Sequence, residues 1–256
     1  MQVVLCEKNP PLAEVILNRP DKRNALSLRL IESLNEQLQI IGEEENIKVV
    51  IIRGNGPVFC SGHDLTELIG DHNTSYYHHI FSTCTKMMQG ISQLPQPVIA
   101  MVQGMATAAG CQLVASCDLA IAEKNAVFST PGVKIGLFCA TPMVPLCRLI
   151  GRRRALDMLL TGRNISALEA QHYGLINRVV SSDSLLDEGR KWAENVAQFS
   201  AFTVQFGKKI FYEQVDMDEQ TAYTCAVNAI VKNCMHDDAE EGIRSLLEKR
   251  KPKWKS

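Results

Sequence analysis

The sequence lacks the features that identify several large classes of protein. Its 256 residues include 27 Lys and Arg against 28 Asp and Glu, a net charge of −1, so it offers no broad basic surface to nucleic acid or to an anionic membrane. No run of about 18 apolar residues occurs, so we expect no membrane-spanning helix. The first residues match neither a signal peptide nor a transit peptide, so we expect no targeting signal in them.

The nine cysteines follow no metal-binding or disulfide pattern. They are odd in number and scattered, with no C-x-x-C pair, so neither a zinc site nor a disulfide framework is predicted. Most stand among apolar residues, as is typical of small buried side chains in a reducing compartment. A dinucleotide-binding fold is disfavoured too, because no G-x-G-x-x-G motif follows a predicted strand. We therefore predict no metal and no resident cofactor.

Short β-type runs alternate with helical periods over the first two-thirds of the sequence. Residues 49–52 and 98–102 have the composition of buried strands, whereas apolar residues recur at helical spacing over 30–41. Strands that alternate with helices favour an α/β architecture with parallel pairing. The end of the sequence is helical in character throughout. We therefore predict a mixed core over 1–197 and a helical region over 198–256.

Three segments rich in small residues stand out, each placed just after a predicted strand. They are residues 59–65 (Phe-Cys-Ser-Gly-His-Asp-Leu), 103–113 and 126–132. Small residues let a ligand approach the backbone closely, and a helix N-terminus directs unsatisfied N–H groups at developing negative charge. Two such N–H groups on one oxygen form an oxyanion hole, each worth about 3 kcal/mol of activation barrier.

Several short motifs carry a resemblance to a known family. They are Asn18-Arg19-Pro20, Asn24-Ala25-Leu26, Ser61-Gly62-x-Asp64-Leu65, Pro97-Val-Ile-Ala, Gly104 with Ala108-Ala109-Gly110, Cys117-Asp118-Leu119, Leu160-Thr161-Gly162 and Ala170 to Gly174. In this order and spacing the sequence resembles the crotonase (enoyl-CoA hydratase/isomerase) superfamily over about residues 10–180, and residues 248–251 match its usual C-terminal helix. Among family members it is most similar to the mitochondrial enoyl-CoA hydratase domain-containing proteins.

The resemblance implies a spiral of ββα units and a helical C-terminal region that forms trimers, often paired into hexamers. It also implies that the partner is an acyl-CoA thioester, whose carbonyl oxygen accepts hydrogen bonds from the backbone N–H groups of His63 and Ala109. Coenzyme A then belongs to the ligand and is not a cofactor. By the same resemblance we expect a protein of fatty-acid metabolism in the mitochondrial matrix.

The resemblance also places the contacts with coenzyme A. The expected adenine and pantetheine contacts are Arg23, Asn24, Ala25, Leu26, His63, Asp64, Leu65 and Thr66. Lys249 or Lys251 is the expected phosphate contact.

The sequence departs from the family at the two residues that perform hydration. Hydration of an enoyl thioester needs one carboxylate to activate water and another to deliver a proton. The positions where family hydratases carry these carboxylates hold Gln112 and Gly132 here. Gln112 has no basic form and Gly132 has no side chain, and loss of one such group costs about 10²–10⁴-fold in rate. We therefore expect acyl-CoA binding with little or no hydratase activity, and leave open whether the protein is an enzyme.

Two alternatives remain. A histidine titrates near neutral pH, and His63 borders the expected thioester, so the protein could be an acyl-CoA decarboxylase or thioesterase that uses His63. Family decarboxylases that act on malonyl-type thioesters also carry a Gly-His-Asp loop without the glutamates, but they have a tyrosine where Cys139 stands here. Cys139 and Cys111 could be nucleophiles, although buried inert thiols are commoner. The weaker alternative, a protein- or RNA-binding module that uses Arg152 to Arg154, predicts salt-dependent binding.

Overall fold

The computed structural model describes residues 2–256, which form an α/β fold as the sequence predicts. Six strands make the main sheet, in the spatial order β1-β2-β3-β4-β6-β9. They are β1 (Val4–Asn9), β2 (Leu12–Leu17), β3 (Val49–Gly54), β4 (Val98–Val102), β6 (Leu119–Glu123) and β9 (Arg178–Val180). β1 and β2 pair antiparallel, and every other neighbouring pair in this sheet is parallel.

A second, smaller sheet contains three short strands in the order β5-β7-β8. They are β5 (Met105–Thr107), β7 (Val127–Ser129) and β8 (Ile165–Ser166). β5 pairs parallel with β7, and β7 pairs antiparallel with β8. Strands of two or three residues are too short to display an alternating pattern, so the sequence alone does not predict this sheet.

Eleven α-helices surround the two sheets in the described part of the chain. They are α1 (Leu28–Gly42), α2 (Leu65–Gly70), α3 (Thr74–Gln93), α4 (Ala109–Ser116), α5 (Ala140–Ile150), α6 (Arg152–Thr161), α7 (Ala167–Tyr173), α8 (Leu185–Ala197), α9 (Ala201–Gln214), α10 (Glu219–Cys234) and α11 (Asp237–Leu247). A capping box of Ser166 and Glu169 begins α7, and Gly162 ends α6 in the left-handed conformation. The sequence analysis does not predict α5, which contains Pro145 in its interior.

Apolar side chains cover both faces of the main sheet. Because side chains alternate along a strand, Val50 and Ile52 of β3 enter the larger core and Val49 and Ile51 enter the smaller one. The larger core includes buried residues of α1, α3 and α4, whereas α8 closes the smaller core with Trp192. The predicted four-residue strand is therefore buried on both faces, as its continuous apolar run indicates.

The last helices contribute little to these cores, because no residue of α9 or α10 is buried. A polar contact joins α9 to the core instead. Lys208 Nζ donates to Asp118 Oδ2 at 2.6 Å and to the carbonyl oxygens of Ile91 and Gln96. Tyr212 Oη donates to the other oxygen of Asp118 at 2.8 Å. The C-terminal region is thus attached by a partly buried ion pair and leaves most of its own surface uncovered.

Between residues 2 and 256, no helix is both long and apolar enough to cross a bilayer. The same residues contain no group of three or more His, Cys, Asp or Glu that could hold a metal ion. The predicted division at residue 198 falls between α8 and α9, and it stays a prediction.

Candidate functional site

The candidate site lies where the loop that follows β3 meets the start of α4. The Cys60 N–H donates to Met105 O at 3.1 Å and the Thr107 N–H donates to Cys60 O at 3.0 Å, so the loop pairs with β5. This pairing brings the loop against α4 so closely that a Cβ on Gly110 would lie 2.2 Å from Cys60 O. Only glycine permits this approach, which explains the Gly110 of the small-residue segment.

The residues on either side of His63 form backbone hydrogen bonds with Leu26, but the backbone N–H of His63 does not. The Leu26 N–H donates to Gly62 O at 2.8 Å, and the Asp64 N–H donates to Leu26 O at 3.1 Å. Among residues 2–256, the His63 N–H itself donates to no acceptor. Gly62 has a φ of +90°, and a Cβ there would lie 2.9 Å from Ala108 Cβ and 3.3 Å from Ala109 N. The His63 loop therefore lies directly beside the first residue of α4.

The backbone N–H of Ala109 is free for a different reason. Ala109 is the first residue of α4, so its N–H has no acceptor within the helix, and no other described residue accepts from it. The preceding Ala108 has φ 50° and ψ −119°, a strained conformation for a residue with a Cβ. The Ala108 N–H, which donates to Ser129 O at 2.9 Å, holds it in place. Strain of this kind is typical of functional sites.

Both residues line a single cavity of about 630 Å³. The lining residues are Ser61, His63, Leu65, Leu68, Phe81, Ala108, Ala109, Pro131, Gly132, Lys134, Ile135, Leu137, Phe138, Cys139, Ala140, Thr141 and Pro142. Within the described chain, no Asp or Glu lines this cavity, and Lys134 is its single charged side chain. The cavity is thus largely apolar, with two unused amide donors in its wall.

The imidazole of His63 is held neutral in this wall. Burial lowers the pKa of His63 to about 4. The ring meets Phe81 edge-on, with their centroids 5.0 Å apart, and the buried Nε2 has no partner among the described residues. The expectation that His63 titrates near neutral pH is therefore wrong, because the apolar surroundings disfavour the charged imidazolium.

The position of the first lost carboxylate holds a neutral group. Gln112 lies in the first turn of α4 and is buried, with its Oε1 unpartnered among residues 2–256. Ser129 Oγ, at the end of β7, and Thr130 Oγ1, just after it, are likewise buried without a partner in the described chain. Gly132 lines the cavity and offers only its backbone. No carboxylate therefore stands at positions 112 and 132, and the three buried polar groups near them are an amide and two hydroxyls.

Several of the predicted coenzyme A contacts are used inside the fold. Asn24 Nδ2 donates to the carbonyl oxygens of Asn55 and Val58. Asp64 accepts from Arg19 Nη2 at 2.9 Å and from the Thr66 N–H at 3.1 Å, where it caps α2. Burial raises the pKa of Asp64, but these hydrogen bonds outweigh it and leave the pKa below its ordinary value. Asn24 and Asp64 thus fix the His63 loop.

The other predicted contacts fall in different places. Arg23 and Thr66 are exposed and Leu65 lines the cavity, whereas Ala25 and Leu26 are buried. Lys249 is exposed just after α11 and does not line the cavity of its own chain. The tail that follows lies against other elements, since Trp254 Nε1 donates to Gln198 O and Lys48 Nζ donates to Ser256 O.

No sequence pattern singles out the apolar residues that close the cavity. Leu68 of α2, Phe81 of α3 and the turn residues Leu137 and Phe138 all line it. The sequence around them has no pattern that indicates a ligand, because apolar residues at helical spacing look the same in a core and in a cavity. Arg19, in contrast, stands in a motif that the sequence analysis singled out, and its role becomes clear only from its contact with Asp64, 45 residues away.

The fold agrees with comparisons to known proteins. A family model described as enoyl-CoA hydratase/isomerase matches residues 7–256. The chain belongs to this family, which confirms the predicted family and fold.

Its relatives carry related names. The chain is 46% identical to the enoyl-CoA hydratase domain-containing protein 3, mitochondrial, of Rattus norvegicus, over 95% of this chain and 81% of the relative. The crystal structure of human enoyl coenzyme A hydratase domain-containing protein 3 has 45% identity and a TM-score of 0.97, over 99% of this chain and 100% of that one. An enoyl-CoA hydratase structure from Mycobacterium smegmatis has 40% identity and a TM-score of 0.98, over the whole of both chains.

Proposed function

We propose that the protein binds acyl-CoA thioesters and has little or no enoyl-CoA hydratase activity. The observation that carries this proposal is the pair of unpartnered amides, His63 N–H and Ala109 N–H, in the wall of a cavity that no described carboxylate lines. A thioester carbonyl oxygen is an acceptor that fits two such donors, and the apolar remainder of the cavity fits an acyl chain.

The absence of hydration follows from the groups that replace the carboxylates. Gln112 cannot take a proton from water, and Gly132 cannot deliver one to carbon. His63 is a poor substitute base, because burial lowers its pKa to about 4. A base with so low a pKa has little driving force to take a proton from water at neutral pH.

The experiment compares two ligands that differ in the carbonyl group alone. Butyryl-CoA and its thioether analogue S-butyl-CoA have the same coenzyme A and nearly the same chain, but the thioether lacks the oxygen. Two hydrogen bonds worth about 0.5–1.5 kcal/mol each predict that the thioether binds about 10- to 100-fold more weakly by calorimetry. Equal affinity for the two ligands would show that the two amides do not bind the carbonyl oxygen of the thioester.

The second candidate is an acyl-CoA decarboxylase or thioesterase that uses His63. The observation in its favour is the buried Nε2 of His63, which lacks a partner in the described chain and borders the cavity. A panel of malonyl-, methylmalonyl- and butyryl-CoA, followed by mass spectrometry for loss of carbon dioxide or release of coenzyme A, tests it. Turnover that falls at least tenfold in His63→Ala would support this candidate, and unchanged turnover would exclude His63 from the reaction.

We also propose assembly into trimers or pairs of trimers in the mitochondrial matrix, and a role in fatty-acid metabolism. Support for assembly comes from large apolar side chains that the single chain leaves exposed on its last helices. They are Phe211, Tyr223, Val227, Ile230, Val231, Ile243, Leu246 and Leu247. Light scattering during gel filtration would give the mass directly, and a monomer at micromolar concentration would contradict the proposal. The mitochondrial part is supported by the names of the relatives.

The binding-module alternative has less support. Arg152 and Arg153 are exposed, whereas the guanidinium of Arg154 lies 4.7 Å from the centre of the Tyr173 ring. A surface arginine that stacks on its own chain is less available to a phosphate.

A further inference from the structure

Position 132 in the cavity wall is closed to any side chain. A Cβ on Gly132 would lie 2.8 Å from Leu137 O and 2.9 Å from Cys139 Sγ. The first of these atoms belongs to the backbone, and the Leu137 N–H donates to Gly132 O at 3.0 Å, so the turn cannot easily open. Glycine is therefore required here by the segment that follows it, and not by its own dihedral angles.

The side chain next to this closed position is Cys139. It lies just before α5, lines the same cavity as His63 and Ala109, and is buried against Gly132. Burial raises the pKa of its thiol, and the Gly132 N–H, which hydrogen-bonds to the sulfur, offsets this only in part. At physiological pH the wall thus presents a neutral thiol.

The surroundings of this thiol are apolar. Leu68, Phe81, Leu137 and Phe138 line the same cavity. The single charged lining residue, Lys134, has its Cε 3.1 Å from the place where a Cβ on Gly162 would be, at the C-terminal end of α6. Negative partial charge at a helix C-terminus stabilises a cation there, so the lysine already has a favourable environment.

We infer that Cys139 has taken over the place in the cavity wall that a side chain at position 132 would fill, and that an apolar acyl group of the bound thioester lies against its thiol. This inference rests on the proposed function. Cys139 is then a residue that determines which acyl groups the cavity accepts, and the carboxylate missing at position 132 cannot return by one substitution.

Modification of the thiol by a small reagent tests this contact. Methyl methanethiosulfonate is added at mildly alkaline pH to protein that is free, saturated with coenzyme A, or saturated with butyryl-CoA, and peptide mass spectrometry follows each cysteine. Butyryl-CoA is expected to slow modification of Cys139 at least tenfold relative to coenzyme A alone. Cys6, on β1 and outside the cavity lining, serves as the internal reference and should react at the same rate throughout.

The results separate this inference from the proposed function. If calorimetry finds saturating butyryl-CoA but Cys139 reacts at its free rate, the inference is wrong and the proposed function stands. If butyryl-CoA does not bind at all, both are wrong.

A pair of variants gives a second measurement. Cys139→Leu should weaken butyryl-CoA binding at least tenfold while coenzyme A binding changes less than twofold. The matched control is Cys147→Leu, on α5 at a partly buried position outside the cavity lining, which should leave both affinities unchanged. Equal effects of the two variants would overturn the inference, and if Cys139→Leu does not fold, the modification rates decide.

Discussion

The two walls of the cavity differ in what they are made of. The wall at His63 and Ala109 acts through backbone amides, which the close contacts of Gly62 and Gly110 hold in place. The opposite wall, residues 131–142, acts through side chains and a turn. A backbone donor does not change when its side chain is substituted, whereas a carboxylate is lost in one substitution. The comparison teaches that the proposed carbonyl site, built from backbone donors, does not depend on the carboxylates that hydration needs.

Restoring carboxylates to the side-chain wall gives the largest expected effect. We expect Gln112→Glu/Gly132→Glu to hydrate crotonyl-CoA about 10²–10⁴-fold more slowly than a family hydratase, since the carboxylate at 132 stays ineffective and one such acid–base group is worth about 10²–10⁴. The double variant fails because a side chain at 132 meets Leu137 O and Cys139 Sγ. Loss of the enoyl absorbance measures the rate.

The single variant Gln112→Glu is the control for that experiment. It adds one carboxylate without disturbing the turn and should be equally inactive. Hydration by the double variant within tenfold of a hydratase would show that position 132 is open after all.

Adding a methyl group to the backbone at Gly110 gives the next largest effect, which is on stability. Gly110→Ala should lower the free energy of unfolding by about 3 kcal/mol or more, because its Cβ would lie 2.2 Å from Cys60 O. Gly207→Ala is the matched control, a helical glycine of α9 with nothing within 4 Å of the added atom. It should change stability by about 1 kcal/mol or less, in the stabilising direction. Denaturant titration measures both, and equal effects would refute the close approach.

The neutral His63 predicts a smaller, pH-dependent effect. Its pKa is about 4 in the folded protein, below the ordinary value of 6.5, so the unfolded chain binds more protons between these pH values. Stability should therefore fall as pH drops from 6.5 to 4, by on the order of 2–3 kcal/mol from this group.

The variant His63→Gln should flatten that part of the stability curve, measured by denaturant titration at each pH. His79→Gln, an exposed histidine on α3, is its control and should keep the wild-type slope. A His63→Gln protein with an unchanged slope would mean that the imidazole is free to charge.

The sequence predicts the backbone wall better than the side-chain wall. The small residues Gly62, Ala109 and Gly110 after predicted strands indicate only that a ligand can approach the backbone, and it is the resemblance to the family that assigns the two amides to His63 and Ala109. The low pKa of His63 could not be predicted, because it depends on Phe81 and other residues that are distant in sequence. The lack of space for a side chain at position 132 could not be predicted either, because it depends on a turn that places Leu137 and Cys139 against Gly132.

The coenzyme A contacts were hardest to predict for a related reason. A motif residue can contact the ligand or stabilise the fold, and its residue type alone does not show which of the two it does. Asn24 and Asp64 are motif residues whose side chains bond within the chain, to Val58 and Arg19 respectively. Only their long-range partners reveal this.

The most direct measurement of the central claim is the infrared absorption of the bound thioester carbonyl. Crotonyl-CoA labelled with ¹³C at the carbonyl carbon is compared free and bound, and the same sample is assayed afterwards for intact ligand. Two amide donors at His63 and Ala109 predict a clear shift of the carbonyl band to lower frequency, with the thioester recovered unchanged. A band at its free position, or a ligand consumed during the measurement, would contradict the account of an intact carbonyl site without hydration chemistry.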